Sequence, residues 1–128
     1  MQSSITNGIE VSVTPSYETG HSDVDKDKYI FSYKVRIQNL SGETVQLLYR
    51  KWRIFDVNGT VRQVEGEGVV GQQPVLGPGD SHEYQSWCPL MSPMGYMEGS
   101  FQMMSKNDNK TIDVKIPRFE LIAPFAMN

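Results

Sequence analysis

The sequence has 128 residues, with 12 basic and 15 acidic side chains, a formal net charge of −3 and a single cysteine. This length predicts one domain spanning residues 1–128. The acidic balance argues against nucleic-acid binding, which needs a basic face, and against a polybasic membrane anchor. Because no basic leader or long apolar run is present, we expect no signal peptide and no membrane insertion. One cysteine cannot form an intrachain disulfide, which favours a reducing, cytoplasmic location.

Apolar residues recur at every second position, the period of half-buried β-strands. Strands are predicted over 9–13, 29–37, 45–55, 60–64, 81–87, 97–103, 112–116 and 119–122. The 45–55 run changes parity, which indicates a bulge near Arg50-Lys51 or burial on both faces. Asn58-Gly59 predicts a tight hairpin after it. Pro117 and Pro124 bracket the last short piece, since prolines belong at strand ends or edges.

Seven or more short strands with no helical pattern predict an all-β fold. We expect an immunoglobulin or fibronectin type III-like β-sandwich of two antiparallel sheets. The segment from Leu76 to Gly79, followed by Tyr84, has the loose spacing of a tyrosine corner. Residues 106–110 predict a polar turn, and the mixed charges of residues 23–28 predict a solvated loop.

The segment 66–71 reads G-x-G-x-x-G, with glycines at Gly66, Gly68 and Gly71. In a dinucleotide-binding fold these glycines precede a helix, but two prolines and two more glycines follow here before residue 80. The motif therefore does not predict a dinucleotide site. Backbone N–H groups in a glycine loop can still bind an anion without a helix.

Strand pairing places four basic residues near this loop: Arg50, Lys51, Arg53 and Arg62. If this segment binds a phosphate or pyrophosphate, we expect the ligand to use the three glycines together with Arg50 and Arg53. Glu65 and Glu67 oppose that hypothesis, because both carboxylates would repel an anion. The favoured interpretation is therefore a structural connection that crosses from one sheet to the other.

Several segments together resemble the ApaG family of small bacterial proteins. They are residues 33–39, 46–56, 64–79, 84–86, 95–101 and 116–121, which together extend over most of the chain. The resemblance implies a fibronectin type III-like sandwich. It also implies links to cobalt resistance and magnesium efflux, and a proposed nucleotide or pyrophosphate role for the glycine motif. Trp87 departs from the family pattern, in which a small residue is common.

Catalysis and metal binding have little support in the sequence. Cys88 is expected to be a small buried residue, since His82 on the same strand is too far away to serve as its base. His21, Asp23, Asp25 and Asp27 form an acidic cluster that fails the EF-hand spacing. We therefore predict no catalytic residue, no metal ligand and no cofactor, with a weak adventitious cation at His21-Asp23 as the remaining alternative.

A binding role fits the predicted fold better than catalysis does. β-sandwiches serve as interaction platforms through sheet edges and end loops. Methionines 91, 94, 97, 103 and 104 would form an adaptable surface if exposed, or fill the core if buried. Trp52, Tyr49 and Trp87 are expected in the core. The apolar tail 123–128 is expected to dock on its own domain or on a second subunit, so we predict a protein partner or a homodimer first and a small anion second.

Overall fold

The computed structural model describes residues 1–127, which form nine β-strands and three short 3₁₀ helices. The strands are β1 (Gln2–Thr6), β2 (Ile9–Tyr17), β3 (Tyr29–Asn39), β4 (Val45–Asp56), β5 (Val61–Glu67), β6 (Val75–Leu76), β7 (Ser81–Leu90), β8 (Met94–Ser105) and β9 (Thr111–Ile122). The 3₁₀ helices cover Thr19–His21, Val24–Lys26 and Pro124–Met127.

The strands form two sheets in which every pairing is antiparallel. The first sheet has the order β1-β2-β3-β7, and the second has β5-β4-β8-β9 with β6 also paired to β4. This arrangement confirms the predicted all-β sandwich. β1 was not expected; it is joined to β2 by Asn7-Gly8, whose φ angles of 50° and 79° are those of a tight mirror-image turn.

The core lies between the two sheets and is built from alternating side chains. In β3 the odd-numbered residues from Tyr29 to Ile37 are all buried, as the sequence period predicts. They face the buried side chains of β4, β8 and β9, including Trp52, Phe101 and Phe119. The rings of Trp52 and Phe119 both lie against Tyr33, at centroid distances of 5.4 and 5.7 Å.

β4 contains the predicted parity change, but two residues earlier than expected. The register with β8 shifts between Leu47 and Tyr49, so the bulge lies at Leu48 and not at Arg50-Lys51. An extra residue in one strand turns the following side chains to the opposite face. Leu47 is therefore buried before the bulge, and Trp52 and Ile54 are buried after it.

The sequence predicted that Pro117 separates two strands, and this prediction is wrong. β9 runs unbroken from Thr111 to Ile122, and its register with β8 shifts where Gly99 pairs with Ile116 and Met97 pairs with Phe119. Proline is tolerated there because a bulge leaves one residue out of the hydrogen-bond ladder.

The predicted tyrosine corner is wrong. That motif requires a hydrogen bond from the tyrosine hydroxyl to the backbone, but the Tyr84 hydroxyl has no partner within residues 1–127. Asn39 ties the connecting loops together instead. Its fully buried amide group donates to the carbonyls of Glu43 and Leu76 at 2.7 and 3.0 Å and accepts from the Ser41 N–H at 2.9 Å.

One side of the sandwich is closed and the other is open. On the closed side, Ser4 Oγ donates to the Lys115 carbonyl at 3.0 Å and the Lys115 N–H donates to Thr6 Oγ1 at 3.2 Å, joining β1 to β9. On the opposite side β5 and β7 are the edge strands of their sheets, and each has one paired neighbour. We call this side, with the edges of β5 and β7 and the 66–72 loop, the open side.

Candidate functional site

The glycine motif forms the end of β5 and a tight turn beyond it. Gly66 pairs with Arg50 across the β4–β5 ladder. Val69 and Gln72 then exchange N–H to carbonyl hydrogen bonds of 2.8 and 3.0 Å. The two residues between them, Val70 and Gly71, have φ angles of 47° and 75°. This geometry is a two-residue mirror-image turn without a helix, as the sequence context indicated.

Several polar groups of this loop are already used inside the protein. The Gly68 N–H donates to the Leu48 carbonyl at 2.9 Å. The carbonyls of Glu67 and Gly68 both accept from Arg50 Nη1 at 2.9 Å. An arginine on loop carbonyls is the reverse of a nest of N–H groups around an anion. Binding of phosphate by the glycines therefore stays a prediction. The hydrogen bonds within the loop provide a structural explanation for the presence of the glycines.

One of the three motif glycines, Gly68, is required by a backbone contact, while the contact at Gly66 is with the movable end of the Arg50 side chain. A Cβ on Gly66 would lie 2.9 Å from Arg50 Nη1, and one on Gly68 would overlap the Gln72 carbonyl oxygen. A Cβ on Gly71 would meet open space, so only the positive φ angle favours glycine at this position. The residues predicted from the motif thus do lie together, and Arg50 lies with them.

Arg53, the fifth predicted binding residue, does not join this group. Because of the bulge at Leu48, the side chain of Arg50 points to the inward face of β4. The side chains of Lys51 and Arg53 point to its outward face. Arg53 Nη1 pairs with Glu98 Oε1 at 3.2 Å, and Arg118 Nε pairs with Glu98 Oε2 at 3.2 Å. The hydrogen bond from Arg118, opposed by some desolvation and assisted by Arg53, holds the pKa of Glu98 below its usual range. The Arg118 guanidinium also lies 4.0 Å above the Tyr96 ring.

A cleft of about 390 Å³ separates the two sheets on the open side. Arg50, Val69 and Val70 line it from the second sheet, and Tyr84, Ser86 and Trp87 line it from β7. Sequence reasoning missed this cleft. The alternation of β7 was the available signal, since Tyr84 and Ser86 share the parity of buried Cys88.

The charges in and around the cleft are positive. Arg36, Arg53 and Arg118 pair with carboxylates on the outer faces. Arg50 and Arg62 make no ion pair with any residue from 1 to 127. Arg62 spans the gap between the sheets and donates through Nη2 to the Pro89 carbonyl.

The two glutamates that argued against an anion lie on the other face of β5. Tyr49 OH contacts Glu65 Oε2 at 3.3 Å on the outer face. Desolvation, and then the carboxylates of Glu65 and Glu67, raise the pKa of Tyr49. The side chains of Arg50 and Arg62 share the opposite parity, which is that of buried Trp52. The repulsion expected from the sequence is therefore directed away from the cleft.

Buried hydroxyl and thiol groups near the cleft are held in their neutral forms. Burial raises the pKa of both Tyr33 and Tyr84. Burial also raises the pKa of the Cys88 thiol to about 11, although Arg62 Nη2 lies 3.8 Å from its sulfur and opposes the shift. Cys88 is 1% exposed, which confirms the expected small buried residue. The prediction that the protein is not an enzyme stays a prediction.

The predicted acidic cluster adopts a short helical turn. His21 packs edge-on against the Trp87 ring at 5.1 Å, and Asp23 lies 4.0 Å from Lys26 Nζ. Within the described residues 1–127, no group of three or more histidine, cysteine, aspartate or glutamate side chains is arranged to hold a metal ion. No helix in that range is long and apolar enough to span a membrane.

The methionines and aromatic residues divide between core and surface. Met97 and Met103 are buried, while Met91 is 64% exposed. Trp52 is in the core as predicted, but Trp87 is 48% exposed, so its predicted burial is wrong. Its odd position in β7 directs it outward. The tail docks on its own domain, where Phe125 packs edge-on against Tyr17 at 6.0 Å; Asn128 lies outside the described residues.

The family model described as the ApaG domain matches residues 19–105. The chain belongs to the ApaG family. Proteins named Protein ApaG from Brucella canis and Brucella suis are 48% identical to it over 124 residues, covering 97% of this chain and 95% of theirs. The family resemblance stated from the sequence segments is confirmed.

Solved structures agree with the ApaG assignment. A Bordetella pertussis protein named ApaA matches with a TM-score of 0.88 and 42% identity, over 91% of this chain and 94% of its own. A second X-ray structure, a structural-genomics target, matches with a TM-score of 0.87 and 34% identity, over 95% of this chain and 92% of its own. The sandwich is therefore the fold of these ApaG-like proteins.

Proposed function

We propose that this ApaG-family chain is a non-catalytic binding module that holds an extended segment of another protein along its open side. The observation that carries the proposal is the pair of edge strands there. β5 and β7 each have one paired neighbour, so backbone donors and acceptors remain for an added strand. A partner segment could gain main-chain hydrogen bonds from either edge.

The side chains along this side suit a protein partner. Trp87, Val64 and Val70 are 48%, 39% and 64% exposed, and Arg50 and Arg62 lie beside them. Tryptophan and arginine are enriched among the residues that dominate binding at protein interfaces. We place the protein in the cytoplasm and leave cobalt resistance and magnesium efflux as the predicted process in which the partner acts. A second copy of the chain is the other candidate occupant.

The experiment compares three immobilised forms of the full chain in the native cell extract. The open-side variant carries Val64→Lys and Trp87→Ala, and the control carries Arg53→Gln on the outer face. We expect one protein to be captured by wild type and control and to be reduced at least about tenfold on the open-side variant. Capture that is equal on all three forms, or lost on the control, would contradict the proposal.

Self-association is measured on the same three forms by size exclusion with light scattering. If a homodimer occupies the open side, wild type and the Arg53→Gln control run as dimers at micromolar concentration and the open-side variant runs as a monomer. A monomer in all three forms removes the homodimer and leaves a different protein as the occupant.

A small anion at the glycine loop is the second candidate. It is favoured by the position of Arg50, which lies against Gly66 and has no carboxylate partner among residues 1–127. The test is titration with pyrophosphate followed by backbone amide NMR. Shifts confined to residues 66–71 support loop binding, and unmoved amides in that segment remove it.

A further inference from the structure

We propose that the cleft of the open side is an oxyanion site, in which side chains of Arg50, Ser86 and Tyr84 bind a phosphate or carboxylate group. This differs from the loop hypothesis, because the donors are side chains in the cleft and not backbone amides of the turn. It is also independent of the protein-binding proposal, since a small molecule can occupy the cleft without adding a strand.

Arg50 supplies the charge. Its Nη1 is fixed on the carbonyls of Glu67 and Gly68 at 2.9 Å, while Nε and Nη2 donate to no acceptor within residues 1–127. The guanidinium is thus held in one orientation with donors to spare. A preorganised guanidinium binds carboxylate and phosphate oxygens through short, charge-assisted hydrogen bonds.

Neutral donors lie on the facing strand. Ser86 is half-buried in the cleft wall, and its hydroxyl lies within hydrogen-bond reach of Tyr33, the residue it pairs with on β3. The Tyr84 hydroxyl is shielded from solvent and has no partner within residues 1–127. A buried hydroxyl without an acceptor is unfavourable, so an anion oxygen that accepts from it would relieve that cost.

No carboxylate side chain from residues 1–127 lines the cleft. Glu65 and Glu67 occupy the outer face of β5 beside Tyr49. Asp56, which shares the inward parity of Arg50, is buried and accepts hydrogen bonds from the Met91 N–H and the Ser92 hydroxyl. Val70 lines the cleft and Trp87 borders it from the outward face of β7, so both place apolar surface beside the site.

Three probes of similar shape test the charge requirement: phenyl phosphate, benzoate and the neutral benzamide. Each is titrated at constant ionic strength while NMR follows the amides of residues 84–87 and the Trp87 indole N–H. We expect both anions to shift these signals saturably and benzamide to leave them unmoved. If one anion alone binds, it identifies phosphate or carboxylate as the group recognised. Equal binding of benzamide overturns the proposal, because it would mean an apolar cleft only.

Variants test the residues. Arg50→Gln is expected to weaken anion binding about tenfold or more, and the matched control Arg53→Gln is expected to bind as wild type does. An unchanged affinity in Arg50→Gln, or an equal loss in both variants, overturns the proposal. Because Arg50 also holds the loop, Ser86→Ala and Tyr84→Phe provide a second test that leaves the loop intact. Each should weaken phenyl phosphate binding several-fold, and unchanged binding in both contradicts the site.

Discussion

At the scale of single residues, the glycine motif is best explained by contacts inside the protein. Gly68 is buried, has a φ angle of 62°, and leaves no room for a Cβ beside the Gln72 carbonyl. Gly71 has a similar φ angle of 75° but faces open space. Substitutions at the two positions therefore distinguish the cost of backbone strain alone from the cost of strain with steric overlap.

We predict that Gly68→Ala destabilises the protein more than Gly71→Ala. A positive φ angle alone costs an alanine about 1 kcal/mol, while overlap with a fixed carbonyl adds a cost that brings the total to roughly 3 kcal/mol. The free energy of unfolding in urea measures both. Equal losses for the two variants would show that the loop moves freely and that the contact at Gly68 is unimportant.

Cys88 provides a residue-scale test of burial. Its thiol is 1% exposed and its pKa is raised to about 11, so almost none of it is thiolate at pH 8. We expect an aromatic disulfide reagent to leave the native protein unmodified at that pH and to react with the urea-unfolded protein within seconds to minutes. Rapid modification of the folded protein would contradict the packing around Cys88.

At the scale of elements, the bulge in β4 decides which basic residues enter the cleft. Without an extra residue at Leu48, the alternation would place Lys51 and Arg53 inward and Arg50 outward. The sequence signalled a change of parity, but the apolar residues that define it, Leu47 and Trp52, leave its position open by several residues. Pairing with β8 fixes it.

We predict opposite outcomes for two neighbouring substitutions that report this parity. Trp52→Ala should cost about 3–5 kcal/mol, because its side chain is 4% exposed and packs against Tyr33 and Phe119. Lys51→Ala should change stability by less than about 0.5 kcal/mol, since it faces solvent. Urea unfolding of both variants is the measurement. A large loss for Lys51→Ala would place the bulge elsewhere.

At the scale of the whole molecule, the buried hydroxyl and thiol groups link stability to alkaline pH. The pKa values of Cys88, Tyr33 and Tyr84 are all raised by burial in the folded state. Above the ordinary thiol pKa of about 9 the unfolded chain releases protons that the folded chain keeps, so the free energy of unfolding falls as pH rises. Below that pH the three groups are protonated in both states and do not change the free energy of unfolding.

We therefore expect the free energy of unfolding to decline between about pH 9 and pH 11, with a shallower decline in Tyr84→Phe and in Cys88→Ala. Loss of positive charge on lysines in the same range is common to all three proteins, so the difference in slope isolates the buried groups. Identical slopes in the three proteins would contradict the burial of both side chains. At neutral pH, Tyr84→Phe should not destabilise the protein, because its hydroxyl has no partner to lose within residues 1–127.

The sequence by itself determined the class of fold, because a period of two depends only on neighbouring residues, and its family was indicated by the segments that resemble ApaG proteins. It also indicated that no helix follows the glycine motif, since prolines and glycines act locally. Only the tertiary structure decided that Arg50 faces the cleft while Arg53 pairs with Glu98, and that Glu65 and Glu67 face away. Those outcomes depend on strand register across β4, β5 and β8, and register is set by the packing of two sheets, which local patterns leave undetermined.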